Sequence, residues 1–266
     1  MEFAFPVGVA LLIWWLGTGV VMLLDSAPRD SFRWSVAISS LLAIAALVCI
    51  ARSANNTSIE GVYAAFTCAV VVWGWHELTF LTGWLTGPRR VACSASRPRF
   101  GEAVAAILWH ELAIAAVAVL ILALTWNAPN PVAGWTFLLL WLMRLSAKFN
   151  LFLGVRNLGE QFLPPHLLYM RSYFRRRAMN LLFPIVVTAS TALAGWLVAQ
   201  AIAAEGAERA ALLLVSTMLW LAVIEHWLLV LPLESTALWR WAMRRGAEAA
   251  KKAPAGPVAL EAKAAP

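Results

Sequence analysis

Seven stretches of about twenty mostly apolar residues constrain this chain more than any other feature. They run roughly over 5–24, 34–51, 61–85, 103–126, 133–155, 180–203 and 210–232. A helix needs ~20 such residues to cross a bilayer. Hydrocarbon leaves backbone N–H and C=O groups no outside partner, so helices are the natural spanning form. The expected fold is therefore all-α, a polytopic membrane bundle of about seven transmembrane helices over 1–232. Composition agrees. Residues of the AVILMFWYC set make up 62% and charged residues only 13%, against a globular norm of roughly 25% charged. Mean hydropathy is +0.74. A soluble globular domain, a disordered chain and a small disulfide scaffold are excluded. Cys49, Cys68 and Cys93 show no CxxC spacing, and the first two lie in apolar runs. No disulfide framework is expected. The first stretch has no lysine or arginine before it and no small-residue cleavage site after it, which predicts a retained helix.

The basic residues follow the spans. Arg29 and Arg33 come after the first, and Arg89, Arg90, Arg97 and Arg99 after the third. The end of the fifth and the loop beyond it hold seven, from Arg144 and Lys148 to Arg177, and the C-terminal segment holds six. Of the 21 Lys and Arg, only Arg52 and Arg209 fall on the opposite side. Positive residues favour cytoplasmic loops, so the expected orientation is N-terminus periplasmic, C-terminus cytoplasmic. The net charge of +7 is then a membrane-topology signal and implies no nucleic-acid partner.

Three further segments stand out. The 157–180 connection, with its Leu163-Pro164-Pro165-His166 turn and Tyr173-Phe174-Arg175-Arg176-Arg177 run, reads as an ordered surface loop. Residues 233–246 mix Leu238, Trp239, Trp241 and Met243 with Arg240, Arg244 and Arg245, the pattern of an interfacial amphipathic helix. Residues 247–266 are rich in Ala, Pro and Lys and are expected to form a disordered cytoplasmic tail.

All four histidines lie near a glutamate. Trp75-His76-Glu77-Leu78 in the third span and Trp109-His110-Glu111-Leu112 in the fourth share His-Glu-Leu after a tryptophan. Glu225-His226-Trp227 in the seventh reads as the reverse, and Glu160 and His166 follow the fifth. An ionisable group inside a span costs at least ~2.5–3.5 kcal/mol on insertion scales, so each is a functional candidate. Counting from the predicted span ends at 1.5 Å per residue puts these groups in one layer within ~10–15 Å of the cytoplasmic interface. Imidazoles and carboxylates together suit iron, manganese or zinc, which makes His76, Glu77, His110, Glu111, Glu160, His166, Glu225 and His226 candidate metal ligands. Against this, Glu-x-x-His, the motif of di-iron bundles, is absent. A closed network of buried Glu–His pairs fixing helix packing is a second reading. A third is ligation of a porphyrin-type macrocycle by a neutral histidine, His76, His110 or His226, with tryptophan lining the pocket. Arg144 and Lys148 are one turn apart on one face. They can neutralise the glutamates, bind an anionic group of such a cofactor, or, for Lys148, snorkel to the interface.

Fifteen Trp stand against three Tyr. Trp14, Trp15, Trp34, Trp84, Trp126 and Trp135 lie near span ends, where an aromatic belt accounts for most of them. Trp73, Trp75, Trp109, Trp220 and Trp227 lie close to the His–Glu groups and either line a pocket for a flat ligand or pack the bundle.

Several blocks resemble a known family. They are Phe66-Thr67-Cys68-Ala69 through Trp73-Gly74-Trp75-His76-Glu77, with Thr86-Gly87-Pro88-Arg89-Arg90, then Trp109-His110-Glu111-Leu112. Further on come Lys148-Phe149-Asn150, Gly154-Val155-Arg156-Asn157-Leu158, Phe162 to Leu167, Ser172 to Arg177, Met179 to Pro184 and Glu225-His226-Trp227 through Leu233. Together, over about 60–240, they resemble the PuhE family, photosynthetic complex assembly protein 2 of phototrophic bacteria. The resemblance implies a protein of the bacterial cytoplasmic or intracytoplasmic photosynthetic membrane. It would be linked to assembly of reaction-centre and light-harvesting subunits, or to pigment-synthesis enzymes and bacteriochlorophyll supply, with a bacteriochlorophyll-type tetrapyrrole as the macrocycle. It brings no catalytic residues. The competing expectation is a membrane metalloenzyme of oxidoreductase type acting on a tetrapyrrole, carotenoid or quinone.

Overall fold

The computed structural model describes residues 2–94 and 99–233. Seven α-helices follow one another: α1 (Ala4–Asp25), α2 (Phe32–Ser53), α3 (Ile59–Leu81), α4 (Phe100–Thr125), α5 (Val132–Leu153), α6 (Leu182–Ala203) and α7 (Gly206–Leu228). All seven are long and apolar enough to cross a membrane. No strand occurs among the described residues. The interfacial helix and tail expected over 233–246 and 247–266 lie, apart from Leu233, outside the described residues.

Helices α3 and α7 form the centre. In their most apolar windows 44% and 61% of residues are buried, against 11–22% in the other five. Helix α3 packs on α1, α2, α5 and α7, while α6 packs chiefly on α7 at the periphery. Lipid tails are as apolar as leucine, so close packing rather than escape from water must join the helices. Small residues serve that end: Ala10, Ala46, Ala65, Ala69, Ala118 and Ala133 are all at most 6% exposed. Phe66, Phe137, Ile114 and Ile121 fill the space between them.

The helix ends have identifiable causes. Ser58 Oγ accepts from the Gly61 N–H and caps α3. Asn180 Oδ1 accepts from the Leu182 N–H at the start of α6, while its Nδ2 donates to Asn150 Oδ1 and the Gly154 carbonyl. Arg209 Nε donates to the Ala201 and Ala204 carbonyls, satisfying acceptors that the end of α6 leaves over.

The connections gather at two ends. At one, Asn130 ties the α4–α5 loop to the α2–α3 loop by donating to the Ser53 and Asn56 carbonyls. At the other lie the three basic connections. Residues 160–162 and 165–173 form 3-10 helices, with Leu167, Met170 and Tyr173 buried. Arg89 Nε donates to the Tyr173 hydroxyl, and Asn157 Nδ2 to the Leu228 carbonyl. The 157–180 connection is thus folded against the bundle end.

Candidate functional site

The site is organised by α5. Trp141, Arg144 and Lys148 sit at i, i+3 and i+7, one face of the helix. Arg144 Nη2 donates to Glu77 Oε2 of α3 at 2.8 Å. Lys148 Nζ donates to Glu111 Oε1 of α4 at 2.5 Å, and Trp141 Nε1 to Glu111 Oε2 at 3.1 Å. Glu225 of α7 accepts from Trp14 Nε1 of α1 at 2.9 Å and interacts electrostatically with Arg144. Three carboxylates and two cations from α3, α4, α5 and α7, together with Trp14 of α1, therefore form one connected layer. The Lys148 and Glu111 side chains are only 17% and 18% exposed, whereas Arg144 reaches the outside of the bundle.

Behind these ion pairs lie two imidazoles. His76 of α3 and His110 of α4 are fully buried, with ring centroids 6.3 Å apart and planes at 75°. Phe80 packs 4.5 Å from His110, and Trp75 and Phe137 pack on His76. The Lys148 ammonium stands over the Phe80 ring at 5.4 Å. None of the four ring nitrogens has a hydrogen-bond partner within the described protein, and neither does Glu77 Oε1. A neutral imidazole carries one donor and one acceptor. Leaving such a group unmet when buried costs about 1–3 kcal/mol. Unpartnered groups like these call for an explanation, such as an ordered water or ion.

His110 is also held through its backbone. The Thr86 carbonyl accepts from the His110 N–H at 2.8 Å, and the Ala105 carbonyl accepts from the Arg89 N–H at 3.3 Å. The segment after α3 thus lies directly on α4. A Cβ at Gly87 would fall 2.0 Å from the Ala105 oxygen, so only glycine allows this approach.

The remaining candidates stand elsewhere or are committed. His226 Nδ1 donates to the Ala222 carbonyl at 2.8 Å, and its Nε2 pairs with the Ser146 hydroxyl at 3.0 Å. Both nitrogens are used: Nδ1 bonds back within α7, and Nε2 joins α7 to α5. Glu160 pairs with Arg171 at 2.5 Å and Arg176 at 3.5 Å. His166 Nε2 donates to the Leu81 carbonyl at 2.8 Å, at the end of α3. Partial burial, together with nearby Arg29, holds the His166 imidazolium below its usual pKa.

The eight expected ligands therefore do not gather into one set. Among the described residues no three His, Cys, Asp or Glu side chains come together to hold a metal ion. Glu77 and Glu111 are engaged by cations, and an ammonium stands beside the imidazoles. Zinc takes four ligands, or three and a water, a set these two imidazoles do not complete. Nor do the fully buried rings present a face to a macrocycle. Of the tryptophans near the His–Glu groups, Trp109, Trp220 and Trp227 face outward at 48%, 37% and 43% exposure, while Trp73 packs on Phe137. Sequence reading missed Trp14 and Trp141 as carboxylate partners. Trp141 was discernible from its helical spacing to Arg144, but Trp14 had no such signal.

The chain is 37% identical over 239 residues to a Rhodobacter capsulatus protein described as "Uncharacterized 30.4 kDa protein in puhA 5'region", covering 87% of each. No solved structure matches it. Residues 1–250 match the family described as "Protein of unknown function (DUF3623)", and the chain belongs to that family.

Proposed function

We propose that this chain is an integral membrane factor for assembly of bacterial photosynthetic reaction-centre and light-harvesting complexes, or for bacteriochlorophyll supply to them. The observation that carries this reading is its 37% identity to a protein named for the puhA 5′ region. The sequence blocks resembling the PuhE family point the same way. The charged layer suits a scaffold, because its ion pairs join α3 and α4 to α5 and its Trp14–Glu225 hydrogen bond joins α1 to α7, while Trp109, Trp220 and Trp227 lie on the outside for contact with other membrane helices. In this reading the N-terminus is periplasmic, and the bundle of 1–232 is followed by an interfacial helix and a cytoplasmic tail. Reporter fusions after residues 57 and 95 are expected to read periplasm and cytoplasm. The opposite pattern overturns the orientation.

The test of function is deletion of the gene in a phototrophic host that carries it. Loss of reaction-centre and antenna absorbance, restored by the gene in trans, supports the proposal, and unchanged absorbance refutes it. The unpartnered imidazoles of His76 and His110 favour one second reading, a metalloenzyme acting on a tetrapyrrole, carotenoid or quinone. Metal analysis of the purified protein separates the two: stoichiometric metal lost with both imidazoles supports the enzyme, and metal-free active protein excludes it.

A further inference from the structure

A cleft of about 420 Å³ opens at the basic end of the bundle. Its walls include Arg29, Asp30 and Arg33 at the start of α2, Trp84 after α3, and His166 from the α5–α6 connection. The cleft is built from three segments distant in sequence. Gly83 turns the chain at φ +80°, and a Cβ there would meet His166 at 3.0 Å. The ring of buried Phe32 lies 6.0 Å from the His166 ring. With Nε2 spent on the Leu81 carbonyl, His166 is fixed in place.

The position and charge of the cleft say what it would hold. Helix α1 ends at Asp25 and α2 begins at Phe32, so the cleft lies where the spans meet the headgroup region. Trp84 and the neighbouring Trp34 are 57% and 62% exposed, as interfacial tryptophans are. Neither Arg29 nor Arg33 forms an ion pair with a carboxylate among the described residues, unlike Arg89, Arg144 and Arg171. Guanidinium groups match phosphate oxygens in pairs. Asp30 narrows the choice further. Its carboxylate disfavours a phosphate dianion, but it accepts from hydroxyl groups. A cleft at the small end of the roughly 300–1,000 Å³ range of ligand sites suits a headgroup rather than a whole lipid.

We propose that this cleft binds the phosphodiester headgroup of one anionic lipid, with Arg29 and Arg33 on the phosphate and Asp30 on a headgroup hydroxyl. A glycerol-bearing monoanion such as phosphatidylglycerol fits best. The acyl chains would then lie along the outer face of α2, where Ile38, Leu41 and Leu42 are exposed.

Full-length protein is purified in neutral detergent and titrated with phosphatidylglycerol, phosphatidic acid and inorganic phosphate, with bound lipid read by native mass spectrometry. Phosphatidylglycerol is expected to bind at one-to-one stoichiometry. Hydrogen bonds to charged groups are the strong ones, so each Arg→Gln change is expected to cost about tenfold in affinity. Asp30→Asn is expected to shift preference toward phosphatidic acid. Arg90→Gln, at the same end but outside the cleft, is expected to leave binding unchanged. Equal loss in Arg90→Gln would reduce the effect to net charge and overturn the site. Displacement of the lipid by millimolar inorganic phosphate would make it a soluble-phosphate site and overturn the lipid assignment. If the Arg29→Gln/Arg33→Gln double variant does not fold, Arg33→Lys keeps the charge and must still bind measurably more weakly than the parent. Unchanged affinity there refutes the proposal.

Discussion

Lys148 of α5 donates to Glu111 of α4 at 2.5 Å, directly beside the His76–His110 pair. The two charges are more than four-fifths buried at their side chains. Each exists in the bundle because the other does, since a lone buried charge is costly whereas a paired one breaks nearly even. Glu111→Gln and Lys148→Met are each expected to destabilise the protein, and the double variant is expected to lose less than their sum. The coupling should be about 1–3 kcal/mol, the range for contacting residues. Thermal denaturation of all four forms in one detergent measures it. Strict additivity would mean that the pair does not act as a unit.

Gly87 is the contact point between the loop after α3 and the back of α4. A methyl group there would lie 2.0 Å from the Ala105 oxygen and 2.5 Å from the Ala106 carbonyl carbon. Neither is a flexible side chain, so the loop must lift and the Thr86–His110 hydrogen bond must lengthen. Gly87→Ala is expected to cost at least about 1–3 kcal/mol, the usual scale of overpacking. Gly74→Ala, whose Cβ meets nothing within 4 Å, serves as the control and should be neutral or slightly stabilising. Equal melting temperatures for the two variants would contradict this packing.

The helices were legible because hydropathy over twenty residues is a strong signal, and the observed spans begin or end within about four residues of the expected ones. The larger shifts have local causes. The third span was expected to reach residue 85 but stops at Leu81, since Gly83 at φ +80° turns the chain back toward α4. The seventh starts at Gly206 rather than 210, because Arg209 can enter the helix by bonding the end of α6. The site was legible in part. Spacing marked His76, Glu77, His110, Glu111, Arg144 and Lys148 as chemically unusual, but pairing across helices depends on which faces meet. Glu225 and Trp14 are 211 residues apart, and nothing local announces that contact. Asn180 also went unread, although an Asn two residues before an apolar run is a cap signal.

His166 gives the protein a pH dependence. Its folded pKa lies below its unfolded value because burial and Arg29 disfavour the imidazolium. Below the unfolded value of about 6.5 the unfolded chain binds more protons, so this group's contribution falls as the medium is acidified. Above that pH it is neutral in both states and contributes no slope. In neutral detergent free of anionic lipid, the melting temperature is expected to drop between pH 7.5 and 5.5. His166→Gln should flatten part of that drop. An equal drop in parent and variant would assign the acid sensitivity to other groups.

The two unpartnered imidazoles separate a packing role from a binding one. If His76 and His110 only fill space, an apolar residue of similar size removes four unmet polar atoms. Replacing buried polar groups by apolar ones of matching shape is often neutral or stabilising. His76→Leu/His110→Leu is therefore expected to fold and to reach the membrane at parental levels or above. If the rings hold a ligand that the protein needs for the proposed assembly role, the same variant loses photosynthetic complex accumulation despite that abundance. We expect abundance to be kept and activity lost, because two fully buried imidazoles beside an ion pair are a poor choice for packing alone. Complementation of a deletion strain, with protein level and complex absorbance measured on the same membranes, gives both numbers. Full complementation by the double leucine variant would return these residues to a structural role. Loss of abundance in step with loss of absorbance would show that the rings hold the bundle together.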